Sequence, residues 1–149
     1  MDILKFIKKY FISTLIFFIF SCNNNSRKNI KSEIWIWDWN NKPLPKSISL
    51  LSYNKNKSRV YKADHVRTIY DTLNKNKYLI IKFKSEQNRL STGNKYELKI
   101  NDTIYYKIND FKTRPINQGG DIDVKVNNEY TEIGDDDILK LNLGFKIKK

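Results

Sequence analysis

The chain has 149 residues, a formal net charge of +12 and a single cysteine, Cys22. One cysteine excludes an internal disulfide and any multi-thiolate zinc site, so stability has to come from a packed core. Lys, Asn and Ile are all abundant, the pattern an AT-rich genome imposes, so the positive charge is not by itself a sign of nucleic-acid binding.

Residues 1–21 carry Lys5, Lys8 and Lys9 followed by ten uncharged residues, FISTLIFFIF, at 11–20. A basic start and a short apolar run have the layout of a signal peptide. Ten residues fall short of the roughly 20 that a bilayer-spanning helix needs. The segment ends Ile19-Phe20-Ser21-Cys22, which resembles the lipobox of bacterial lipoproteins. An aliphatic residue stands three before the cysteine and a small one directly before it; Phe20 is larger than is usual at its place. Ile19 is also too bulky for an ordinary secretory cleavage site, which wants a small residue there. The resemblance covers residues 1–22 only. It implies cleavage before Cys22, lipid on its sulfur, palmitate-type acyl chains and anchoring in a cell membrane. Each buried methylene contributes about 0.8 kcal/mol, so two or three chains hold firmly where one is marginal. The residues after Cys22 are neutral and then basic, without the acids that lipoprotein sorting signals use. By the same resemblance this points to an outer membrane, facing the periplasm, if the source is Gram-negative.

The expected layout is a signal peptide (1–21), a lipidated polar tether (22–32) and one β-rich domain (33–149). A domain of that length buries somewhat over ~60% of its unfolded surface. Alternation of apolar and polar residues dominates it. Residues 33–39 (EIWIWDW) read as a strand with Trp35, Trp37 and Trp39 on one face, closed by a turn containing Pro43 and Pro45. Strands follow at 46–53 and 58–62. Val66, Ile69, Tyr70 and Leu73 then fall at i, i+3, i+4, i+7, which predicts a short helix over 64–74 with Asp64 as N-cap. Residues 78–84 (YLIIKFK) are almost continuously apolar and predict a strand central in a sheet.

The runs 96–100 and 104–108 alternate. A three-residue loop, 101–103, pairs Ile100 with Ile104 and Leu98 with Tyr106, keeping the apolar sets on one face; Thr103 would then take a positive φ. A flexible turn is expected at Gly119-Gly120. Residues 122–126 and 130–133 form a hairpin across Asn127-Asn128. Leu139, Leu141, Leu143, Phe145 and Ile147 alternate with polar residues as a last strand. The fold class that follows is α+β, mainly β: an antiparallel sheet or sandwich-like domain of about nine strands with one short helix, preceded by a signal-peptide helix.

Chemistry-bearing patterns are sparse. Trp35, Trp37 and Trp39 are the candidate ligand or partner face; a tryptophan row packs into a core, meets a partner protein or stacks on sugar rings. Asp121, Asp123, Glu129 and Glu132 imitate a calcium loop, but Lys125 and Val126 occupy positions such a loop gives to a ligand and to glycine. Asp135-Asp136-Asp137 reads as a solvated turn. His65, the sole histidine, has no nucleophile at motif spacing. No catalytic residue, metal or cofactor is expected. The function expected is a non-enzymatic, lipid-anchored envelope protein that binds a partner protein or serves as an accessory. A cell-wall or surface glycan-binding module is the alternative, and a carboxylate-dependent hydrolase a third. Anionic headgroups beside the anchor are a further expected contact, and an exported chain is not expected to meet nucleic acid.

Overall fold

The computed structural model describes residues 29–114 and 121–145. Cys22, the signal segment 1–21, tether residues 22–28, Gly119-Gly120 and the end of the last expected strand at 146–147 lie outside the described residues. In chain order the strands are β1 (Asn29–Lys31), β2 (Glu33–Trp37), β3 (Ile48–Asn54), β4 (Lys57–Asp71), β5 (Asn76–Phe83) and β6 (Arg89–Ser91). They continue as β7 (Lys95–Ile100), β8 (Ile104–Thr113), β9 (Ile122–Val126), β10 (Glu129–Ile133) and β11 (Leu139–Asn142). Nine of them form one sheet in the order β10-β9-β8-β7-β3-β4-β5-β2-β11, and β1 pairs with β6 separately. The two end strands, β10 and β11, come into contact, so the sheet curls almost into a barrel.

Alternation explains the inside of that barrel. Leu50, Leu79, Ile81, Leu98, Ile100, Tyr106, Ile108 and Val124 project inward from successive strands and are buried. Each such aliphatic side chain contributes about 1.5–3 kcal/mol on burial. Ile30 and Leu90, one from each strand of the β1–β6 pair, are also buried and close one end of the core. Ordered structure thus includes Asn29–Lys31, upstream of the start expected at residue 33. The phenols of Tyr96 and Tyr106 donate to the carbonyl oxygens of Ser91 (2.8 Å) and Asn142 (3.3 Å). Burial pushes both phenols well above the usual tyrosine range.

The hairpin registers follow from the dry face. Ile100 pairs with Ile104 and Leu98 with Tyr106, as the three-residue loop requires. The left-handed positions in that loop are Asn101 (φ 50°) and Asp102 (φ 56°), not Thr103. Asn and Asp tolerate this region better than a β-branched residue does. Asn101 adds a second function: its Oδ1 accepts the N–H groups of Lys46 (2.7 Å) and Ser47 (3.1 Å), fixing the entry to β3. Asn127 and Asn128, both at positive φ, form the two-residue turn between β9 and β10. Leu79, Ile80 and Ile81 are all buried in β5, which lies between β4 and β2 as a central strand should.

Three expectations are corrected. The helix expected over 64–74 is strand: β4 runs through to Asp71 and then turns into β5. Val66, Thr68 and Tyr70 follow one face of the strand and Ile69 the other, while Leu73 sits at 91% exposure in the turn. The helical spacing was a coincidence in a segment rich in Val, Thr, Ile and Tyr, which favour a pleated surface. Pairing of Ala63–Asp71 with β5 decided it, while β3 pairs with the earlier part of β4, Lys57–Lys62. A register shift between Ala63 and His65 lets β4 bend from one half of the sheet to the other. The last strand is also shorter than its alternation implies. β11 ends at Asn142, and Leu143–Phe145 forms a 3₁₀ turn. β11 pairs parallel to β2, so the sheet is mixed rather than wholly antiparallel.

Candidate functional site

The three tryptophans do not share a face. Ile34 and Ile36 take the inner positions of β2, so Trp35 and Trp37 project outward. Asp38 then adopts φ 60°, which breaks the alternation. Trp39 turns inward to 2% exposure and donates its indole N–H to the Pro43 carbonyl at 3.1 Å. The loop 38–41 is held by its own polar side chains: Asn40 Oδ1 accepts Lys77 N–H (3.0 Å), and Asn76 Nδ2 donates to Asp38 (2.9 Å).

Neighbours that the sequence reading omitted complete the outward face. Register places Ile80 of β5 and Arg67 of β4 in one row with Trp35 and Lys140. The next row carries Ile69, Tyr78, Trp37 and Asn142. Tyr78 lies 5.9 Å from the Trp35 ring and 6.0 Å from the Trp37 ring, at interplanar angles of 68° and 50°. Trp37 is 39% exposed and Ile69 41%. The result is an open aromatic and aliphatic face across four strands. Its rings are tilted against each other, so it is not a flat stacking platform.

The charges around this face are arranged unevenly. Glu33 accepts the Trp35 indole N–H, and Asp71 caps the turn after β4 through the N–H groups of Leu73 (2.9 Å) and Asn74 (3.2 Å). The Asn74 side-chain amide, followed by its backbone N–H, holds the Asp71 carboxyl below the usual carboxylate range. Desolvation, then the Asp71 charge, pushes the Tyr78 phenol upward. Lys140 pairs with Asp136 at 2.6 Å and lies 5.8 Å from the centre of the Trp35 ring. Arg67 stands on the same face with no carboxylate partner among the described residues.

The other sequence candidates are dispersed. Asp123 forms a two-point bond with Arg114 (3.1 and 2.6 Å), which also reaches Glu132 at 3.2 Å. These acids clamp the β8–β9–β10 edge instead of converging on a cation. Asp136 and Asp137 pair with Lys140 and Arg89. His65 is exposed beside the β4 irregularity, opposite Lys82 of β5. Among the described residues no group of three or more His, Cys, Asp or Glu could hold a metal ion. Ile69 was overlooked because the helix reading removed β4 from the sheet; Tyr78 lay in an expected strand, but its pairing with β2 is a long-range contact that local spacing does not carry. Comparison of the chain with protein-family models, with characterised proteins and with solved structures gives no match.

Proposed function

We propose that this chain is a lipid-anchored, non-enzymatic protein of the cell envelope that holds a partner protein on the face built from Trp35, Trp37, Tyr78 and Ile69. One observation carries the reading: a half-exposed aromatic cluster, held in register across neighbouring strands and rimmed by Arg67 and Lys140. Aromatic anchors inside a polar rim are the anatomy of a protein interface. The face sets no nucleophile beside a base, which suits binding rather than turnover. Chain direction fits as well. β2 starts at Glu33 near the β1–β6 closure and ends at Trp37, so a chain tethered through Cys22 presents the Trp37 end away from its bilayer.

A glycan would need an open, flat ring. Trp35 stands at 68° to Tyr78 with Lys140 over it, which favours the protein reading. The test places a photo-crosslinking residue at Ile69 of the full-length chain in its native envelope, with Val60, on the other half of the sheet, as control. A discrete protein adduct is expected from position 69 and not from 60, and Trp37→Ala should abolish it. An adduct to cell-wall sugar would support the glycan module, and equal labelling from both positions would discard the face. The anchor has a separate test: Cys22→Ser should release the protein from washed membranes.

A further inference from the structure

We propose that the cleft between the β1–β6 pair and the adjoining ends of β2 and β5 binds a phosphate-type anion, supplied by the headgroups of the membrane to which the chain is tethered. The headgroup as source rests on the anchored reading above; the anion chemistry does not.

The cleft is a depression of about 300 Å³. Three cations line it: Lys31 from β1, Lys82 from β5 and Arg89 from β6. Glu33, on the same wall, accepts the Trp35 indole N–H on its Oε1. Among the described residues neither Lys31 nor Lys82 enters a salt bridge, although Glu33 stands directly opposite Lys82 in the β2–β5 register. Arg89 reaches the Asn29 carbonyl (3.3 Å) and Asp137 (3.6 Å), both through one terminal nitrogen. The rest of its guanidinium fork has no partner among the described residues and matches two oxygens of a phosphate. Glu33 lines the same cleft, Asp137 pairs with Arg89 and the Lys31 charge reaches Asp136, but the three cations outnumber the one carboxylate in the lining, and a bound anion offsets that excess.

The backbone beside the cleft turns through left-handed positions. Gln87 (φ 63°) and Asn88 (φ 51°) are consecutive left-handed residues, and neither is glycine. Gln87 takes this conformation at a cost of order 1 kcal/mol, whereas Asn88 tolerates it. The segment is nonetheless locked: Asn88 N–H donates to Ser85 O (3.3 Å), and Asn88 O accepts Ser32 N–H (3.1 Å). That lock holds Arg89 and the two side-chain amides at the cleft. Position gives the source. The cleft adjoins β1, the first described strand, so a chain held through Cys22 carries it on the side facing the bilayer. Seven residues from Cys22 to Asn29 span at most ~25 Å, which keeps that end close to the headgroups.

Amine-reactive footprinting of the full-length chain tests this in three settings: phosphatidylcholine vesicles, the same vesicles containing phosphatidylglycerol, and phosphatidylcholine vesicles with added inorganic phosphate. An anion within ~4–6 Å favours the protonated, unreactive ammonium by a factor of roughly ten or more. Labelling of Lys31 and Lys82 should therefore slow about tenfold with phosphatidylglycerol and with phosphate, while Lys57, on another edge, stays unchanged. Lys82→Gln, an exposed position, should abolish the protection of Lys31 without lowering the melting temperature. Protection by phosphate alone would support the anion site and overturn the headgroup source. Equal labelling in all three settings would overturn the proposal. Neither lysine touches Ile69 or Trp37, so the crosslinking test above fails or succeeds independently.

Discussion

Trp37 and Trp39 are two residues apart, and strict alternation would make them equivalent; the structure makes them opposites. Trp39→Ala removes a side chain that is 2% exposed and whose N–H is bonded to Pro43 O. A buried Trp→Ala change costs about 3–5 kcal/mol, because a cavity term adds to the lost transfer energy. Trp37→Ala leaves a gap open to water, so only transfer and its contact with Tyr78 are lost, about 1–2 kcal/mol. A domain of roughly 115 residues unfolds with an entropy near 0.24 kcal/mol/K, so each kcal/mol moves the melting temperature by about 4 °C. Trp39→Ala should thus lower it by roughly 12–20 °C and Trp37→Ala by roughly 4–8 °C. Calorimetry of the two variants measures the difference directly. Equal losses, or a larger loss for Trp37→Ala, would refute the inward turn at Asp38 and return all three rings to one face.

Asp38→Val puts a β-branched side chain at φ 60° and should cost about 1–2 kcal/mol, whereas Asp38→Gly should cost less, a contrast that denaturant titration resolves. Asn101→Ala loses the two bonds to Lys46 and Ser47 and should destabilise by about 1–3 kcal/mol; Asn101→Asp keeps the acceptor and should retain most of the stability. For Asp136, desolvation opposes the charged form, but hydrogen bonds from Lys140 and from Ile138 N–H outweigh it and hold the carboxyl below its usual range. Its folded value lies below the unfolded one, so its contribution is present above pH ~3.9 and is lost as pH falls further. Melting measured from pH 7 to pH 2 should therefore fall in that acid limb, and Asp136→Asn should flatten it. A melting temperature that rose on acidification would contradict this.

Much of the sheet was legible in the residues. The β7–β8 register could be deduced because a one-residue slip would turn Leu98, Ile100, Tyr106 and Ile108 toward water. The Asn127-Asn128 turn carried its own backbone chemistry, and the continuous apolar run of β5 announced a strand flanked on both sides. Less of the site was legible. Trp35 and Trp37 were visible as candidates, but Tyr78 reaches them only through the β2–β5 pairing, and Ile69 and Arg67 only through β4, which local spacing had disguised as a helix. The cleft had no sequence signature at all, since Lys31, Lys82 and Arg89 come from three separate strands.

The sequence by itself determined the mainly β class, the faces of most strands and the hairpin registers, because period-2 alternation and turn residues are local facts about burial and backbone sterics. Tertiary structure alone decided that β4 is strand, that β11 runs parallel to β2 and stops at Asn142, and that Trp39 leaves the row begun by Trp35. The physical reason is the same in each case. A strand's edges are satisfied by partners distant in the chain, and a single residue at positive φ reverses the facing of everything after it.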